Sequence, residues 1–348
     1  MSVAYANIGV YIGLFTVLVY EDQPMKCILL LLENSPVTSV SGPMEIFSLA
    51  NSFVPREQRM KLQLVSTSGA AVPCLGGLTL SVHGGLTTSS GPDHANPDLI
   101  IIGAIGPPDA RPVDFDPKVL AWLKHQHEQG TKIASICTGA FVLAASGLLE
   151  GLPATTHWQC VELFQQRFPK VRLCRDAMIT QQDGLYCSAG ASAYQDMSIH
   201  LVQEFFGEAV AQQCAKALLF DADRYSQAQY ASYQPCRKHV DDVIHGLQDW
   251  LDQHFSLNVS MVELAKKVHL SERQFKRRFK QATQESPLAY VQALRIESAK
   301  RHLVSSNKAI ADISRRVGYE DVRFFRQLFK RLTSLAPTDY RQKFSLHR

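Results

Sequence analysis

One stretch limits the fold of this chain more than any other: TKIASICTGAFVLAASG, residues 131–147. It opens as a short apolar run ending in Cys137, the way a buried parallel strand reads. A helical pattern of small and apolar residues follows at once. The same strand-then-helix signature recurs upstream. KCILLLL (26–32) is a continuous apolar run, and VSGPMEIFSLANSF (40–53) is helical with Pro43 early. KLQLVST (61–67) alternates like a strand, and PDLIIIG (97–103) is another buried run. DPKVLAWLKHQHEQG (116–130) is a helix, with Pro117 at its start and Gly130 at its stop. Two short strands, DAMIT and GLYCS, and a helical region over 191–222 complete the series. Alternation of this kind predicts an α/β doubly wound parallel sheet, flavodoxin-like in type. Ligands of such sheets bind beyond the carboxyl ends of the strands, and Cys137 stands at one of those ends.

The last third of the chain reads differently. Residues 1–238 carry 16 Lys and Arg against 20 Asp and Glu, whereas residues 239–348 carry 20 against 12. A basic module for a polyanion is thus joined to a near-neutral module with another task. SQAQYASYQPCRK (226–238), with weak periodicity, reads as the linker, and beyond it the pattern is helical throughout. The expected domains are an N-terminal extension over 1–24, an α/β ligand-sensing domain over 25–225, the linker over 226–238, and an all-α domain over 239–348.

Within the basic segment, SMVELAKKVHLSERQFKRRFKQA (260–282) divides into helix, turn and helix. Leu264, Ala265, Val268, Leu270, Phe275 and Phe279 form one apolar stripe. Ser271 followed by Gln274 is a capping-box pattern that starts the second helix. AIADISRRVGYEDVRFFRQLFKR (309–331) repeats the plan, with Gly318 at its turn and Val322, Phe325, Leu328 and Phe329 inward. Matching Ala265 to Ala311 sets a repeat of 46 residues. Two helix-turn-helix units on a helical spacer (286–306) suit successive major grooves, about 34 Å apart on one DNA face. The candidate DNA-binding residues are Ser271, Arg273, Gln274, Arg277 and Arg278 in the first unit, and Arg323, Arg326, Gln327 and Lys330 in the second. Basic side chains of this set would meet phosphates, and a few polar ones would reach base edges.

The eight cysteines all precede the basic segment and form no Cys-x-x-Cys pair, so neither a disulfide framework nor a metal site is expected, and a reducing, cytoplasmic setting is. No cofactor is implied. Met1 to Tyr20 has no charged residue, but its apolar core is shorter than the about 20 residues of a membrane span. The segment reads as an accessory piece or an extension upstream of a start at Met25, with anchoring as the alternative.

Ser135-Ile136-Cys137-Thr138-Gly139 has the small-x-nucleophile-x-Gly form of a strand-to-helix elbow, where a helix N-terminus stabilises a thiolate and backbone N–H groups hold an oxyanion or carboxylate.

Two family resemblances follow from these motifs. ADISRRVGY, FFRQLFKR and APTDYRQKF, with LRIESAKRHL in the spacer, resemble the AraC/XylS regulators. Pro337, Tyr340 and Arg341 match that family's ending, with Ser334 in place of its usual glycine. ASICTGAFVLAASGLLEGLPATTHW, GPMEIF and CSAGASAYQDMSIHLVQEF resemble the PfpI-like branch of the class I glutamine amidotransferase-like superfamily. Together they give the layout of the GlxA-like transcriptional regulators. That resemblance implies a sequence-specific DNA-binding regulator, most often an activator touching RNA polymerase, and a homodimer. It also implies a small-molecule effector such as an amino acid or quaternary amine.

Carried onto this chain, Cys137 occupies the nucleophile position, His157 lies near it, and Gly103 and Ala104 stand at the turn that supplies an oxyanion donor in enzymes. Thr138 replaces the histidine found after the cysteine in proteolytic relatives. No acid stands near Ser39, and Glu45 is a doubtful substitute. The expected ligand-binding set is therefore Cys137, Thr138, Gly103, Ala104 and His157, with no catalytic residue and Cys137 a degenerate nucleophile. The alternatives are a cysteine-dependent amidase or hydratase-type enzyme fused to a DNA-binding domain, and a redox sensor pairing Cys137 with Cys160 or Cys187.

Overall fold

The computed structural model describes residues 25–86, 96–106, 114–221 and 224–345. The N-terminal extension, and with it the question of an anchor, lies outside them. No helix among the described residues is long and apolar enough to cross a membrane.

The N-terminal half runs β1 (Lys26–Leu30), α1 (Thr38–Ser52), β2 (Lys61–Ser66), a small hairpin of β3 (Val72–Pro73) and β4 (Thr79–Leu80), and β5 (Gly84–Gly85). It continues through β6 (Leu99–Ile102), α2 (Pro117–Glu128), β7 (Lys132–Ser135), α3 (Gly139–Ala145), β8 (Pro153–Ala154), α4 (Val161–Arg167) and β9 (Arg172–Leu173). It ends with β10 (Ile179–Gln182), β11 (Leu185–Ser188), α5 (Tyr194–Phe206) and α6 (Glu208–Ala217). The seven-stranded sheet has the order β10-β11-β7-β6-β1-β2-β5. Every pairing is parallel except β10 with β11.

Strands β6 and β11 are buried at every position, as continuous apolar runs require when both faces are covered. On one face Val40, Phe47, Met197 and Leu201 bring α1 and α5 onto the sheet. On the other, Leu123, Phe141 and Phe164 bring α2, α3 and α4. The helical region expected over 191–222 is interrupted. Gly207, at φ 87°, ends α5 and opens α6.

The C-terminal half is helical: α7 (Asp242–His254), α8 (Met261–Lys267), α9 (Glu272–Thr283), α10 (Pro287–Ser305), α11 (Ile310–Arg316), α12 (Val322–Thr333) and α13 (Pro337–Phe344). Two cores divide it. Phe275 and Phe279 pack with Leu247, Leu264 and Tyr290, while Phe325 and Phe329 pack with Ile313, Val317 and Tyr340. Helix α10 serves both, through Tyr290 and Val291 at one end and Ile296, Ala299 and Leu303 at the other. Arg295 on α10 fastens the units together by donating to the carbonyls of Phe255, Leu257 and Gly318 at 2.7, 2.8 and 3.0 Å.

The units superpose at a different spacing from the 46 residues expected. The N-cap of α9 is Ser271 and that of α12 is Asp321, 50 residues on. The amide of Leu270 reaches back to the carbonyl of Ala265, as that of Tyr319 does to Ser314. Ala265 therefore corresponds to Ser314, and Ala311 lies nearly a turn earlier. The apolar stripe of a short helix fits more than one register, and only the turn and caps fix it.

Candidate functional site

The sheet order reverses between β1 and β6: the chain leaves β1 for β2 on one side and later returns to β6 on the other. Loops leaving those two strands diverge and open a crevice, the usual ligand position in such sheets. A cavity of about 160 Å³ lies there, lined by Pro36, Thr38 and Ser39 after β1, Ala104 and Ile105 after β6, Cys137 and Thr138 after β7, and His157, Gln159 and Cys160.

Cys137 sits at the elbow with φ 54°, a left-handed conformation that costs a non-glycine residue about 1–3 kcal/mol and persists only where its surroundings enforce it. Two hydrogen bonds do so. Thr138 Oγ1 donates to the carbonyl of Ile105 at 2.5 Å, and Thr156 Oγ1 donates to the carbonyl of Cys137 at 3.0 Å. The elbow is thus clamped between the loop after β6 and the segment after β8. Burial pushes the Cys137 thiol up to about 12, against which the amide of Thr138 lowers it only in part. Burial of the sulfur thus works against the thiolate that an elbow at the head of the seven-residue α3 would favour. Burial raises the Cys160 thiol as well, and Cys187 is fully buried in β11 among the side chains of the opposite face.

Burial lowers the pKa of His157, so its imidazole is neutral at neutral pH. Its Nδ1 accepts from the amide of Gln159 at 3.1 Å, which places the proton on Nε2.

Of the expected ligand set, Cys137, Thr138, Ala104 and His157 line one cavity. Gly103 does not. Its amide donates to the carbonyl of Leu30 at 3.0 Å and is unavailable to an oxyanion. Its missing side chain serves packing instead, since a Cβ there would lie 2.7 Å from Cγ1 of Val40. Ser39 lines the cavity and donates Oγ to the carbonyl of Pro36 at 2.7 Å, whereas Glu45 is exposed on α1 and does not line it.

Sequence reasoning missed Pro36, Thr38, Ser39, Ile105 and Gln159 as lining residues and named Cys160 only as a redox partner, although the loop after β1 had to border a crevice at the switch point. It also missed Gln227. This side chain is 3 % exposed, and its Nε2 donates to the carbonyls of Thr156 and Arg175 at 2.9 and 2.8 Å. Its Oε1 accepts from the amide of Trp158 at 3.1 Å. Nothing in a polar, aperiodic stretch marks one glutamine as buried.

On the helical domain, Ser271 and Gln274 form the expected capping box, each satisfying a backbone N–H of the other, so both serve the start of α9. Arg273 and Arg277 are exposed on the outer face of α9. Arg278 points elsewhere, donating to both carboxylate oxygens of Asp241 at 2.7 and 2.9 Å and bracing α9 against α7. On α12, Arg323, Arg326, Gln327 and Lys330 are all exposed, opposite buried Phe325, Leu328 and Phe329. Each unit therefore offers a cationic helix face that a turn sets at a fixed angle to its neighbour, the arrangement that enters a major groove.

Two family models divide the chain along the same lines. A DJ-1/PfpI family model matches residues 37–204, and a helix-turn-helix domain model matches residues 264–343. The HTH-type transcriptional regulator GbdR of Pseudomonas aeruginosa is 25 % identical over 323 residues, which span 92 % of this chain and 85 % of the relative. The HTH-type transcriptional regulator CdhR of the same organism is 24 % identical over 318 residues, spanning 90 % of each. Among solved structures, a putative transcriptional regulator protein from Vibrio parahaemolyticus matches with a TM-score of 0.51 and 24 % identity. That match covers 56 % of this chain and 100 % of that one, and it shows the fold. With a DJ-1/PfpI domain ahead of a helix-turn-helix pair, and relatives of the same span that share this order, the chain belongs to the AraC-family transcriptional regulators that carry a PfpI-like domain.

Proposed function

We propose that the cavity at Cys137 binds a small metabolite without transforming it, and that occupancy alters how the helical domain engages DNA. The observation that carries this reading is the course of residues 224–237. The segment has neither helix nor regular strand, yet it is fastened at both ends. Gln227 joins it to Thr156 and Trp158, which flank the pocket residue His157. On the other side Ser334 donates to Ser226 at 3.0 Å, the rings of Tyr230 and Phe344 meet edge to face at 5.6 Å, and Lys300 donates to the carbonyl of Ala231 at 2.7 Å. Tyr233 donates to Glu285 at 2.5 Å, just beyond the end of α9. A shift of the segment after β8 on ligand entry is thereby passed to the ends of both reading helices through a continuous set of contacts.

Among the described residues the lining supplies hydroxyls, neutral thiols, one amide and one neutral imidazole, and no carboxylate, lysine or arginine. A cavity of about 160 Å³ accepts a molecule on the order of benzene in size. Together these favour net-neutral compounds, such as amino acids or quaternary amines bearing their own carboxylate. Catalysis is disfavoured because burial keeps the Cys137 thiol protonated and no carboxylate among the described lining residues orients the His157 imidazole as a base. We further infer a cytoplasmic homodimer that activates transcription by contact with RNA polymerase, as the layout of the family suggests.

Ligand-observed proton NMR on the full-length protein, with mixtures of such compounds followed over hours, tests the reading. Saturation transfer to one compound with a constant signal supports a sensor. Steady loss of the bound compound with growth of a product means that the chemistry survives and the enzyme reading replaces this one.

A further inference from the structure

The two reading helices differ at one aligned position in a way that basic character does not explain. Gln274 is the third residue of α9, and Phe324 is the third residue of α12. In α9 the glutamine closes the capping box by accepting from the amide of Ser271. In α12 Asp321 caps the helix alone, its carboxylate accepting from the amides of Arg323 and Phe324 at 2.8 and 3.1 Å. The third position of α12 is thereby released from capping, and an aromatic ring occupies it.

That ring is 45 % exposed although the core of the unit is a step away. Phe325 beside it is fully buried, and among the described residues the one ring recorded against Phe324 is that of Tyr319, 5.7 Å away. Phe324 stands in the first turn of α12, where a recognition helix meets base edges. It shares its face with Gln327, three residues on, and Arg323 adjoins it. An aromatic side chain surrounded by cations, on the groove-facing turn of a helix, has one apolar partner in B-DNA. This is the 5-methyl group of thymine, which projects into the major groove.

We propose that Phe324 reads thymine by packing its ring on that methyl group, with Gln327 placed to read an adjacent adenine. The first unit presents Arg273 and Arg277, whose forked guanidinium groups suit guanine O6 and N7. The DNA site of one protomer is then unlike in its two halves: guanine contacts under α9, and an A·T step under α12.

The test needs no effector. Duplexes are selected from a random pool with the full-length protein, and each thymine of the selected site is replaced in turn by uracil, which removes only the methyl group. In wild type, one or two positions in the half facing α12 should lose affinity about fourfold, the cost of one methyl group no longer buried. Phe324→Ala should bind more weakly and treat thymine and uracil alike at those positions, while its response to changes in the other half stays that of wild type. A ring that merely supports Tyr319 would weaken binding to every sequence and leave the thymine preference intact, which overturns the proposal. A ring that instead meets a protein partner would leave both DNA affinity and the uracil scan unchanged, which overturns it as well. If Phe324→Ala does not fold, the wild-type scan still decides: a site without a methyl-sensitive thymine in that half contradicts the assignment.

Discussion

The two helix-turn-helix units share a scaffold and differ in what holds them. Both bury a pair of phenylalanines four residues apart against a tyrosine from the following helix. Both end their reading helix in a left-handed residue, Gln284 or Ser334. The first unit is braced within its own domain, by Arg278 on Asp241, the N-cap of α7. Among the described residues the second reading helix has no such ion pair, and it is tied at its end to the linker, through Ser334 and Ser226. A repeated scaffold has thus been specialised by its attachments. One copy carries an internal brace beside its tie to the linker through Glu285 and Tyr233, while the other reaches the linker from the cap residue of its reading helix.

The largest expected effect tests how far the two copies are equivalent. Phe275→Ala and Phe325→Ala should each lose about 3–5 kcal/mol in denaturant unfolding. If the units were independent the losses would add. Coupling through α10 and Arg295 predicts a double variant that departs from the sum.

The turn residues come next. Gly318 has φ 95°, and a Cβ there would lie 2.4 Å from the carbonyl oxygen of Ser256. Gly318→Ala should cost about 2 kcal/mol, the price of strain plus a backbone clash. His269 occupies the matching turn with φ 55°, so His269→Gly should leave stability within about 1 kcal/mol of wild type or raise it. Thermal unfolding separates the two.

The brace should show itself through pH. The Arg278 guanidinium holds the Asp241 carboxyl below its ordinary value of 3.8. A depressed carboxyl stabilises the fold above the unfolded value and loses that contribution as pH falls through the folded one. Acid titration of wild type should therefore lose more stability below about pH 4 than Asp241→Asn does, with the curves parallel at neutral pH.

The smallest effect belongs to the cap. Ser334→Gly relieves the left-handed residue and should change stability by no more than about 1 kcal/mol. Because it also removes the contact with Ser226, it should weaken the response of DNA binding to an effector. Gln284→Gly should relieve strain to the same extent without that loss.

Much of this was legible in the sequence because local rules govern it. Buried strands announce themselves as apolar runs, and the elbow at Cys137 needs small residues around it. The Ser271–Gln274 box can be read from spacing alone. What escaped depends on distant chain. Leu30 takes the amide of Gly103 only because β1 and β6 are neighbours in the sheet. The elevation of the Cys137 thiol comes from burial that no local motif reports. Gln227 becomes a linchpin because residues 225–227 lie against residues 176–178, just before β10. Arg278 looked like its basic neighbours until α7 brought Asp241 beside it.

The central claim is that pocket and DNA surface communicate through Gln227. The most direct measurement is operator affinity of the full-length protein with and without the compound that gives saturation transfer, in wild type and in Gln227→Leu. The account predicts a change of about five- to 150-fold in wild type, the usual span of allosteric coupling. Gln227→Leu should still bind the compound, by the same NMR signal, while its operator affinity no longer depends on it. An unchanged response in Gln227→Leu would contradict the account.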